Sequence, residues 1–275
     1  MATRYADPYR FDHGAQFFTA RTAPFRDFLA PLIAAGVVVP WGARFAEFHG
    51  SEIVAERQWD DDYPHYVGTP AMNAIGQFLA RGLDLRLETT VTGLERHGDR
   101  WSLLTPDGVY GPYDWVIVTA PAAQAASLLP REFAYCEQLQ ATRQLGCYAL
   151  MLGFEIAPEV DWQAALVKQA DISWISVNSS KPGRSEHFTM LVHSTNAWAE
   201  LHMRDDTDDV KTHMLREIQT VTGIDARDAS HVDVQRWRYA NIPRQPGNPS
   251  FVDAGNKLAA CGDWCIRGRV EAAFS

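Results

Sequence analysis

The spacing of apolar residues along the chain predicts amphipathic helices. One apolar stripe predicts a helix over 24–35 that ends before Gly36, and another predicts a helix over 206–221. The stripe residues are Phe25, Phe28, Leu29 and Leu32 in the first helix, and Val210, Met214, Leu215 and Ile218 in the second. Thr69 followed by Pro70 is typical of an N-cap and a first helical residue, which predicts a further helix through 79–81.

Alternating and continuous apolar runs predict strands. The run over 114–118 is continuous and is followed by Pro121, which is typical of a strand buried on both faces. A turn at 106–108 predicts a hairpin. The other predicted strands are 37–41, 44–48, 85–87, 89–94, 101–104, 108–110, 147–154, 173–177, 188–194, 231–239 and 258–261.

The order of these elements predicts an α/β (mixed α+β) protein with interrupted domains. Strands of the second half, followed by one long helix, are typical of an antiparallel sheet that covers a substrate. The chain then returns at Leu258 to the first domain. The predicted domains are 1–135 with 257–275, and 136–256 between them, with 37–66 open to assignment to either.

Composition narrows the class of partner. The net charge of −9 and the absence of a basic cluster argue against a nucleic acid or an anionic membrane surface. No apolar run approaches the roughly 20 residues of a membrane span, and the start lacks the pattern of a signal peptide. We therefore expect a cytoplasmic protein that acts on a small-molecule substrate. The oligomeric state stays open.

Cys261 and Cys265 have a C-x-x-x-C spacing. A metal or redox pair is one interpretation, and a buried strand cysteine beside a small loop residue is the other. Zinc sites use four ligands in recognisable patterns, which are missing from this sequence. The sequence therefore favours the second interpretation and predicts no metal site.

The last segment of the chain carries the strongest chemical signal. An apolar strand over 258–261 ends in Gly262 and Asp263, and Gly268 and a short helix-forming stretch follow. Exposed N–H groups at such a strand end can face an anion, and Asp263 can accept hydrogen bonds from hydroxyl groups. The sequence predicts a ligand-binding strand end here, with an ordinary Asx turn as the alternative.

This segment resembles the C-terminal flavin motif of FAD-dependent amine-oxidase-like enzymes, most closely the bacterial renalase-like group. Other stretches carry the same resemblance in the same order: 11–18 (FDHGAQFF), 67–73 (VGTPAMN), 116–121 (VIVTAP), 178–184 (NSSKPGR) and 236–240 (RWRYA). The resemblance implies FAD as cofactor. It also implies a Rossmann-like FAD domain interrupted by a substrate domain whose antiparallel sheet covers the isoalloxazine.

The resemblance also implies an incomplete cofactor domain. The sequence of 1–21 resembles the segment that follows the dinucleotide fingerprint in that family, yet no G-x-G-x-x-G occurs in the 275 residues. A βαβ unit needs about 30 residues. We interpret the chain as a family member lacking its N-terminal βαβ unit and its closing helix, with an upstream extension that encodes the missing strand and glycine turn. This chain alone is then expected to bind FAD poorly.

The resemblance assigns the remaining roles residue by residue. Gly262 and Asp263 contact the ribityl and pyrophosphate groups, Val91 pairs with the adenine, and the loop over 13–16 lies beside the isoalloxazine. The implied cofactor-binding residues are Ala2, Arg4, Gly14, Ala15, Gln16, Val91, Gly262, Asp263, Val270, Glu271 and Ala273. The candidates for lining the active site are His13, Gln16, Asn178, Trp237 and Tyr239. Each has a plain structural alternative: a turn, a helix start, a simple strand, a satisfied buried histidine or a core aromatic.

The resemblance implies an FAD-dependent oxidase. A small reduced donor, such as an isomer of a dihydronicotinamide dinucleotide, would give up a hydride, and O₂ would take the electrons to form H₂O₂. The catalytic residues stay unknown, because no triad, carboxylate pair or metal motif stands out in the sequence. Two alternatives remain: an amine oxidase or desaturase of the same class, and a non-catalytic remnant without flavin.

Overall fold

The computed structural model of the chain describes residues 1–243 and 247–275. Two compact units are present: Met1–Arg81 with Gly146–Arg238, and Gly82–Leu145 with Tyr239–Ser275. We call them the first and the second unit. Residues 1–81 group with 146–238 here, whereas the predicted functional division placed them with 257–275. The functional division itself stays a prediction, and its second seam, over 241–256, includes residues outside the described ranges.

The strands are β1 (Arg4–Ala6), β2 (Tyr9–Phe11), β3 (Val38–Pro40), β4 (Arg44–His49), β5 (Glu52–Gln58), β6 (Tyr66–Gly68), β7 (Gly93–His97), β8 (Arg100–Thr105), β9 (Gly108–Tyr113), β10 (Val116–Val118), β11 (Leu145–Phe154), β12 (Ala164–Lys168), β13 (Ile172–Val177), β14 (Phe188–Ser194), β15 (His231–Asn241), β16 (Ser250–Asp253) and β17 (Leu258–Cys261). The helices are α1 (Ala23–Ala34), α2 (Ala74–Leu79), α3 (Ala122–Leu128), α4 (Cys136–Ala141), α5 (Asn196–His202), α6 (Thr207–Thr222) and α7 (Val270–Phe274), with 3₁₀ turns at Asn178–Ser180, Ala226–Asp228 and Asp263–Cys265. This mixed α/β architecture confirms the predicted fold class.

A seven-stranded sheet organises the first unit. Its strand order is β15-β11-β14-β13-β12-β4-β5. The pairs β11–β14, β13–β14 and β12–β13 are antiparallel, and β12 pairs with β4 in parallel. The predicted strands at 147–154, 173–177, 188–194 and 231–239 are confirmed. Sequence reasoning missed β12, which joins the early strands β4 and β5 to the others and so brings 44–58 into this sheet.

Helices α5 and α6 cover one face of this sheet. Asp206 caps α6 by accepting a hydrogen bond from the Asp208 amide, and Gly223 ends the helix in the left-handed region with φ of 75°. The apolar stripe of α6 is buried at Val210, Met214, Ile218 and Val221. These side chains share one core with the strand residues Leu150, Ile175 and Val192. The predicted amphipathic helix is therefore confirmed, and its stripe packs on the sheet.

The opposite face of the sheet carries polar and aromatic side chains. Met151 and Leu191 pack there against Tyr9 and Phe11. Side chains alternate between faces along a strand, so Trp174 and Ser176 of β13 share one face. This face lies against the segment that contains the predicted site residues 12–18.

The second unit contains two small sheets. One is the antiparallel meander β7-β8-β9, and the other has the order β10-β17-β16, with β10 and β17 parallel. The parallel pairing joins 116–118 to 258–260, as expected if the chain returns at Leu258 to an earlier sheet. The shared core of this unit includes Trp101, Val118, Ala122, Leu129, Leu139, Leu258 and Trp264.

Three local predictions were wrong. The helix predicted from Thr69 begins at Ala74 with Asn73 as its N-cap, and the Thr69 hydroxyl instead contacts the Pro182 carbonyl at 3.4 Å. No strand forms at 85–91, and β7 begins at Gly93. The strand β10 is not buried on both faces: it is an edge strand, and Ile117 is 62% exposed.

A search of the described residues found no helix that is both long and apolar enough to cross a membrane.

Candidate functional site

A buried carboxylate, Asp12, forms the centre of the candidate site in the first unit. Its Oδ2 accepts hydrogen bonds from Arg184 Nη2 at 2.6 Å and Nε at 3.1 Å. Its Oδ1 accepts the Met72 amide at 2.9 Å and the Thr3 hydroxyl at 2.8 Å. Burial acts to raise the pKa of Asp12, but Lys181, Arg184 and the Met72 amide outweigh it and lower the pKa. Asp12 is therefore ionised and holds three separate segments together.

Lys181 is a fully buried ammonium group beside this carboxylate. Its Nζ lies 3.8 Å from Asp12 Oδ2 and donates to Gln16 Oε1 at 3.0 Å and Asn178 Oδ1 at 3.1 Å. It also lies 5.5 Å from the centre of the Trp41 ring. Burial lowers the pKa of Lys181 to about 7, and the Asp12 charge offsets part of that effect. At pH 7 Lys181 is therefore only partly protonated, and the Arg184 guanidinium is the main cation beside Asp12.

The side chains of Gln16 and Asn178 are fully engaged inside the first unit. Gln16 donates to the carbonyls of Asp12 and Gly14, and it accepts from the Ser176 hydroxyl at 2.7 Å as well as from Lys181. Asn178 donates to the Arg10 carbonyl at 2.9 Å and accepts from Lys181. Both were predicted to line an active site. Their geometry suits positioning of the loop over 12–18 rather than direct contact with a ligand.

His13 stacks on Trp237. The two rings are 5.2 Å apart with an interplanar angle of 18°, and Trp237 Nε1 donates to the His13 carbonyl at 2.9 Å. His13 Nδ1 is buried and has no partner among the described residues. Burial, with a contribution from Arg4, lowers the pKa of His13 to about 4, so its imidazole is neutral at pH 7. Tyr239, predicted beside Trp237, belongs to the second unit and is 37% exposed.

The N-terminal segment lies against the same loop. A Cβ on Gly14 would come within 3.2 Å of the Ala2 amide nitrogen, so the close approach favours glycine there. Ala15 is half-buried. The Arg4 guanidinium pairs with Asp233 and donates to Gln235 Oε1 at 2.5 Å. The structure thus brings the predicted residues Ala2, Gly14 and His13 together and commits the Arg4 side chain to β15.

The strand end predicted at Gly262 and Asp263 forms in the second unit. Gly262 follows β17, and a Cβ on it would lie 2.5 Å from Trp264 Nε1. Asp263 opens the 3₁₀ turn, and its carbonyl accepts from the Arg267 amide at 3.0 Å. A Cβ on Gly268 would lie 3.7 Å from Asp263 Oδ2, which places Gly268 beside this carboxylate. The residues that sequence reasoning grouped here are therefore close together.

The Asp263 carboxyl is half-buried and forms no ion pair with a described residue. Burial raises its pKa, and the backbone N–H groups of Trp264 and of Asp263 itself act in the opposite direction. A partly desolvated carboxylate at the end of a strand fits hydroxyl groups that donate hydrogen bonds to it. The residues present therefore fit the ribityl part of a flavin.

The other predicted cofactor residues have mixed surroundings. Val270, Glu271 and Ala273 lie in α7, which is only five residues long, and Glu271 is buried. Val91 does not lie in a strand. The pairing of β7 with β8 begins at Gly93, and the Thr92 amide just before it donates to the Leu104 carbonyl at 2.8 Å. The strand geometry that the adenine assignment assumed is absent at Val91.

Two groups of residues have side chains of the kind that bind metals, namely the cysteines and one cluster of carboxylates with a histidine. All four cysteines are free, and burial raises the pKa of Cys265 to about 11, so its thiol stays protonated. In the described part of the chain, Asp171, His213 and Glu217 place ligand-type atoms within 4.8 Å of one another. His213 Nε2 lies 2.9 Å from Asp171 Oδ2, and Glu217 accepts the Asp171 amide at 2.8 Å. These bonds account for that cluster.

An aromatic cluster was missed. Trp59 directly precedes three aspartates, yet it is only 5% exposed. Its ring stacks on His65 at 3.7 Å, and Phe17 packs against Trp59, His65 and Trp174 at 5.0–5.3 Å. The alternation of Trp174 with Ser176 in a predicted strand was the available signal. Nothing in the local sequence shows that Trp59 and His65 join it.

Comparison with known proteins identifies the family. Residues 8–272 match the family described as flavin containing amine oxidoreductase, so the chain belongs to that family. The prediction of FAD as cofactor is confirmed at that level, and the chain is assigned to flavin-dependent oxidoreductases.

Solved structures show the same fold at low identity. A protein from Exiguobacterium sp. 255-15, named provisionally as a protoporphyrinogen oxidase, has a TM-score of 0.71 at 11% identity, over 96% of this chain and 85% of that one. A triple mutant of putrescine oxidase has a TM-score of 0.58 at 9% identity, over 85% and 75%. Cyclohexylamine oxidase from Brevibacterium oxydans IH-35A has 0.53 at 15%, over 74% of this chain and 49% of that one.

Proposed function

We propose that this chain is an FAD-dependent oxidase of the renalase-like type. It takes a hydride from a small reduced donor of the dihydronicotinamide dinucleotide class. Two electrons and two protons, one of them from solvent, convert O₂ to H₂O₂, and the donor leaves oxidised by loss of hydride. FAD, when bound, would accept the hydride and react with O₂. The protein is proposed to act in the cytoplasm on a small molecule, without nucleic acid or membrane.

The charged groups around the loop over 12–18 favour one class of hydride donor over another. Its one carboxylate, Asp12, is already paired with Arg184 and lies beside Lys181. An incoming ammonium group therefore finds no free carboxylate on this loop, and the Arg184 cation and the partly protonated Lys181 lie nearby. A neutral or anionic donor does not meet this repulsion. The observation supports a reduced dinucleotide over a protonated amine, which is the runner-up substrate.

The other residues of the candidate sites bind the ligand or orient the loop that carries His13. Asp12, Lys181 and Gln16 hold the loop that carries His13, and Trp237 holds the His13 ring and its carbonyl. In the second unit, Asp263 accepts hydrogen bonds from ligand hydroxyls, and the Trp264 indole occupies the position that a side chain at residue 262 would take. The neutral His13 adds no charge that would repel a donor as it loses hydride.

The proposal is tested with the chain supplied with excess FAD. Under anaerobic conditions, an isomer of dihydronicotinamide dinucleotide is expected to bleach the visible flavin absorbance, and admission of O₂ to yield H₂O₂. Benzylamine at the same concentration is expected to leave the spectrum unchanged. Bleaching by benzylamine alone would assign an amine oxidase. Failure of the flavin to associate with the protein even in excess would assign the non-catalytic remnant.

A further inference from the structure

The first unit contains a surface cavity whose lining residues do not belong to the candidate site. Its volume is about 590 Å³, and two segments of the chain form its walls. One segment, over 20–26, includes the first turn of α1, and the other, over 62–66, leads into β6. The polar part of the lining consists of Arg21, Arg26, Asp62, Tyr63 and Tyr66, and we call this space the arginine cavity.

Buried contacts hold the two walls of this cavity together. The Phe18 amide donates to the Tyr66 carbonyl at 2.9 Å, and the Tyr66 amide donates to the Phe18 carbonyl at 2.7 Å. The Phe18 ring is buried, and its centre lies 5.9 Å from that of Tyr66 and 6.1 Å from that of Phe25 in α1. Because one buried ring contacts both walls, the arginine cavity is already formed in the absence of a ligand.

Positive charge is in excess in this cavity, although the net charge of the chain is −9. Arg21 and Arg26 supply two guanidinium groups, and Asp62 is the one carboxylate among the described lining residues. Arg26 Nη1 donates to the uncharged Arg21 carbonyl at 2.6 Å, and Arg26 forms no ion pair with a described residue. It lies in the first turn of α1, which contains no acidic residue and where a cation is unfavourable. These charges favour an anion in the cavity.

Two tyrosines determine which anion suits the cavity. Tyr63 is 47% exposed and contacts His65 in a T-shaped arrangement at 5.9 Å, while the Tyr66 ring packs on Phe18. A phenol hydroxyl can donate to an oxyanion, and an aromatic ring packs on another planar group. Guanidinium groups bind phosphate through paired hydrogen bonds. The lining therefore combines donors for a phosphate group with aromatic surface for an organic group attached to it.

We propose that the arginine cavity binds a phosphate monoester of a small aromatic molecule. The guanidinium groups and the phenol hydroxyls donate to the phosphate oxygens, and a tyrosine ring packs on the aromatic part. The charge of the phosphate offsets the excess positive charge of the lining, which a neutral ligand does not do. The volume of about 590 Å³ suits a small-molecule ligand. This inference goes beyond the proposed function, because the site requires neither flavin nor a hydride donor.

The test is isothermal titration calorimetry of the full chain, without FAD, with phenyl phosphate, inorganic phosphate and phenol. Phenyl phosphate is expected to bind most tightly, because it alone engages both the cations and the tyrosine rings. Arg26→Gln should weaken its binding by about three- to tenfold, since a hydrogen bond to a charged group is lost. Asp62→Asn should tighten it by about two- to fivefold, because the carboxylate that repels phosphate is removed. The matched control is Arg216→Gln, at an exposed position of α6 outside the cavity, which should leave binding unchanged.

Thermal unfolding provides the second readout. Phenyl phosphate at saturation should raise the Tm of the unaltered chain and of Arg216→Gln, and should raise that of Arg26→Gln less. Asp62→Asn serves if Arg26→Gln fails to fold, because it changes the affinity in the opposite direction. Unchanged phenyl phosphate binding in both cavity variants, or equally tight binding of phenol, would overturn the proposal. Equally tight binding of inorganic phosphate would overturn the assignment of an aromatic ligand.

Discussion

The two units place their candidate residues in opposite kinds of surroundings. In the first unit, Asp12, Lys181 and Arg184 are buried and joined by side-chain bonds, and Gln16 has no free bonding position. In the second unit, the half-buried Asp263 forms no ion pair with a described residue, and apolar side chains such as Ile117 stay exposed. The first unit is thus built as a rigid support, whereas the second presents a carboxylate that has no ion-pair partner among the described residues.

The largest expected effect concerns the buried ion pair. Asp12→Ala leaves the buried Arg184 guanidinium, and the Lys181 amine beside it, without their carboxylate and should lower the free energy of unfolding by about 3–5 kcal/mol. The matched control is Asp114→Ala, which breaks the exposed pair of Arg100 and Asp114 and should cost at most about 1 kcal/mol. Urea unfolding of both variants measures these two costs. Similar costs would show that the first unit does not depend on this centre.

The next effect concerns flavin affinity in the second unit. Asp263→Ala should weaken FAD binding by about ten- to a hundredfold, because charge-assisted hydrogen bonds to ligand hydroxyls contribute roughly 1.5–3 kcal/mol. Cys265→Ser is the control, since the Cys265 thiol has no assigned role. Fluorescence titration with FAD compares the two with the unaltered chain, for which the affinity itself is expected to be weak. Greater loss in the cysteine variant would contradict the strand-end assignment.

Lowering the pH should destabilise the first unit more than the second. The folded-state pKa of His13 and of His193 is about 4, below the ordinary 6.5, so the unfolded chain binds more protons between these values. Stability from these groups is complete above pH 6.5 and is lost as the pH falls, by up to roughly 1.4 kcal/mol per pH unit for each histidine. The raised pKa of Asp263 acts oppositely: its contribution is present at low pH and is lost as pH rises through the folded pKa.

Hydrogen exchange, followed separately in each unit, tests the predicted direction of this pH dependence. Protection in the first unit should fall from about pH 6.5 toward pH 4 more steeply than in the second. His193→Gln should reduce the slope, while His97→Gln, at a surface position, should not. A slope that His193→Gln leaves unchanged would show that this imidazole is not held neutral by folding.

The smallest effect concerns the exposed edge of the second unit. Ile117→Ala should change the free energy of unfolding by less than about 0.5 kcal/mol, because Ile117 is 62% exposed. The same substitution at Ile175, fully buried in the sheet of the first unit, should cost about 2–5 kcal/mol. Thermal unfolding compares them. A large cost at Ile117 would reveal a packing partner for this edge and weaken the contrast.

Elements with a strong local signal were predictable. The α6 stripe, its Asp206 cap and the strands β11, β13 and β14 follow from spacing and capping, which act within a few residues. The failures occurred where a distant partner decides the outcome. Continuous apolar residues at 116–118 predicted a strand buried on both faces, but its position at a sheet edge exposes Ile117.

The sequence by itself determined the fold class, the family and the Gly262–Asp263 strand end, because these depend on local patterns and on residues close together in the chain. Only the tertiary structure decided that Asp12 meets Lys181 and Arg184, and that Trp59, His65 and Trp174 pack around Phe17. Those contacts join segments far apart in sequence, and their energy comes from burial and from the exclusion of alternative partners. Neither is encoded in any single stretch of the chain.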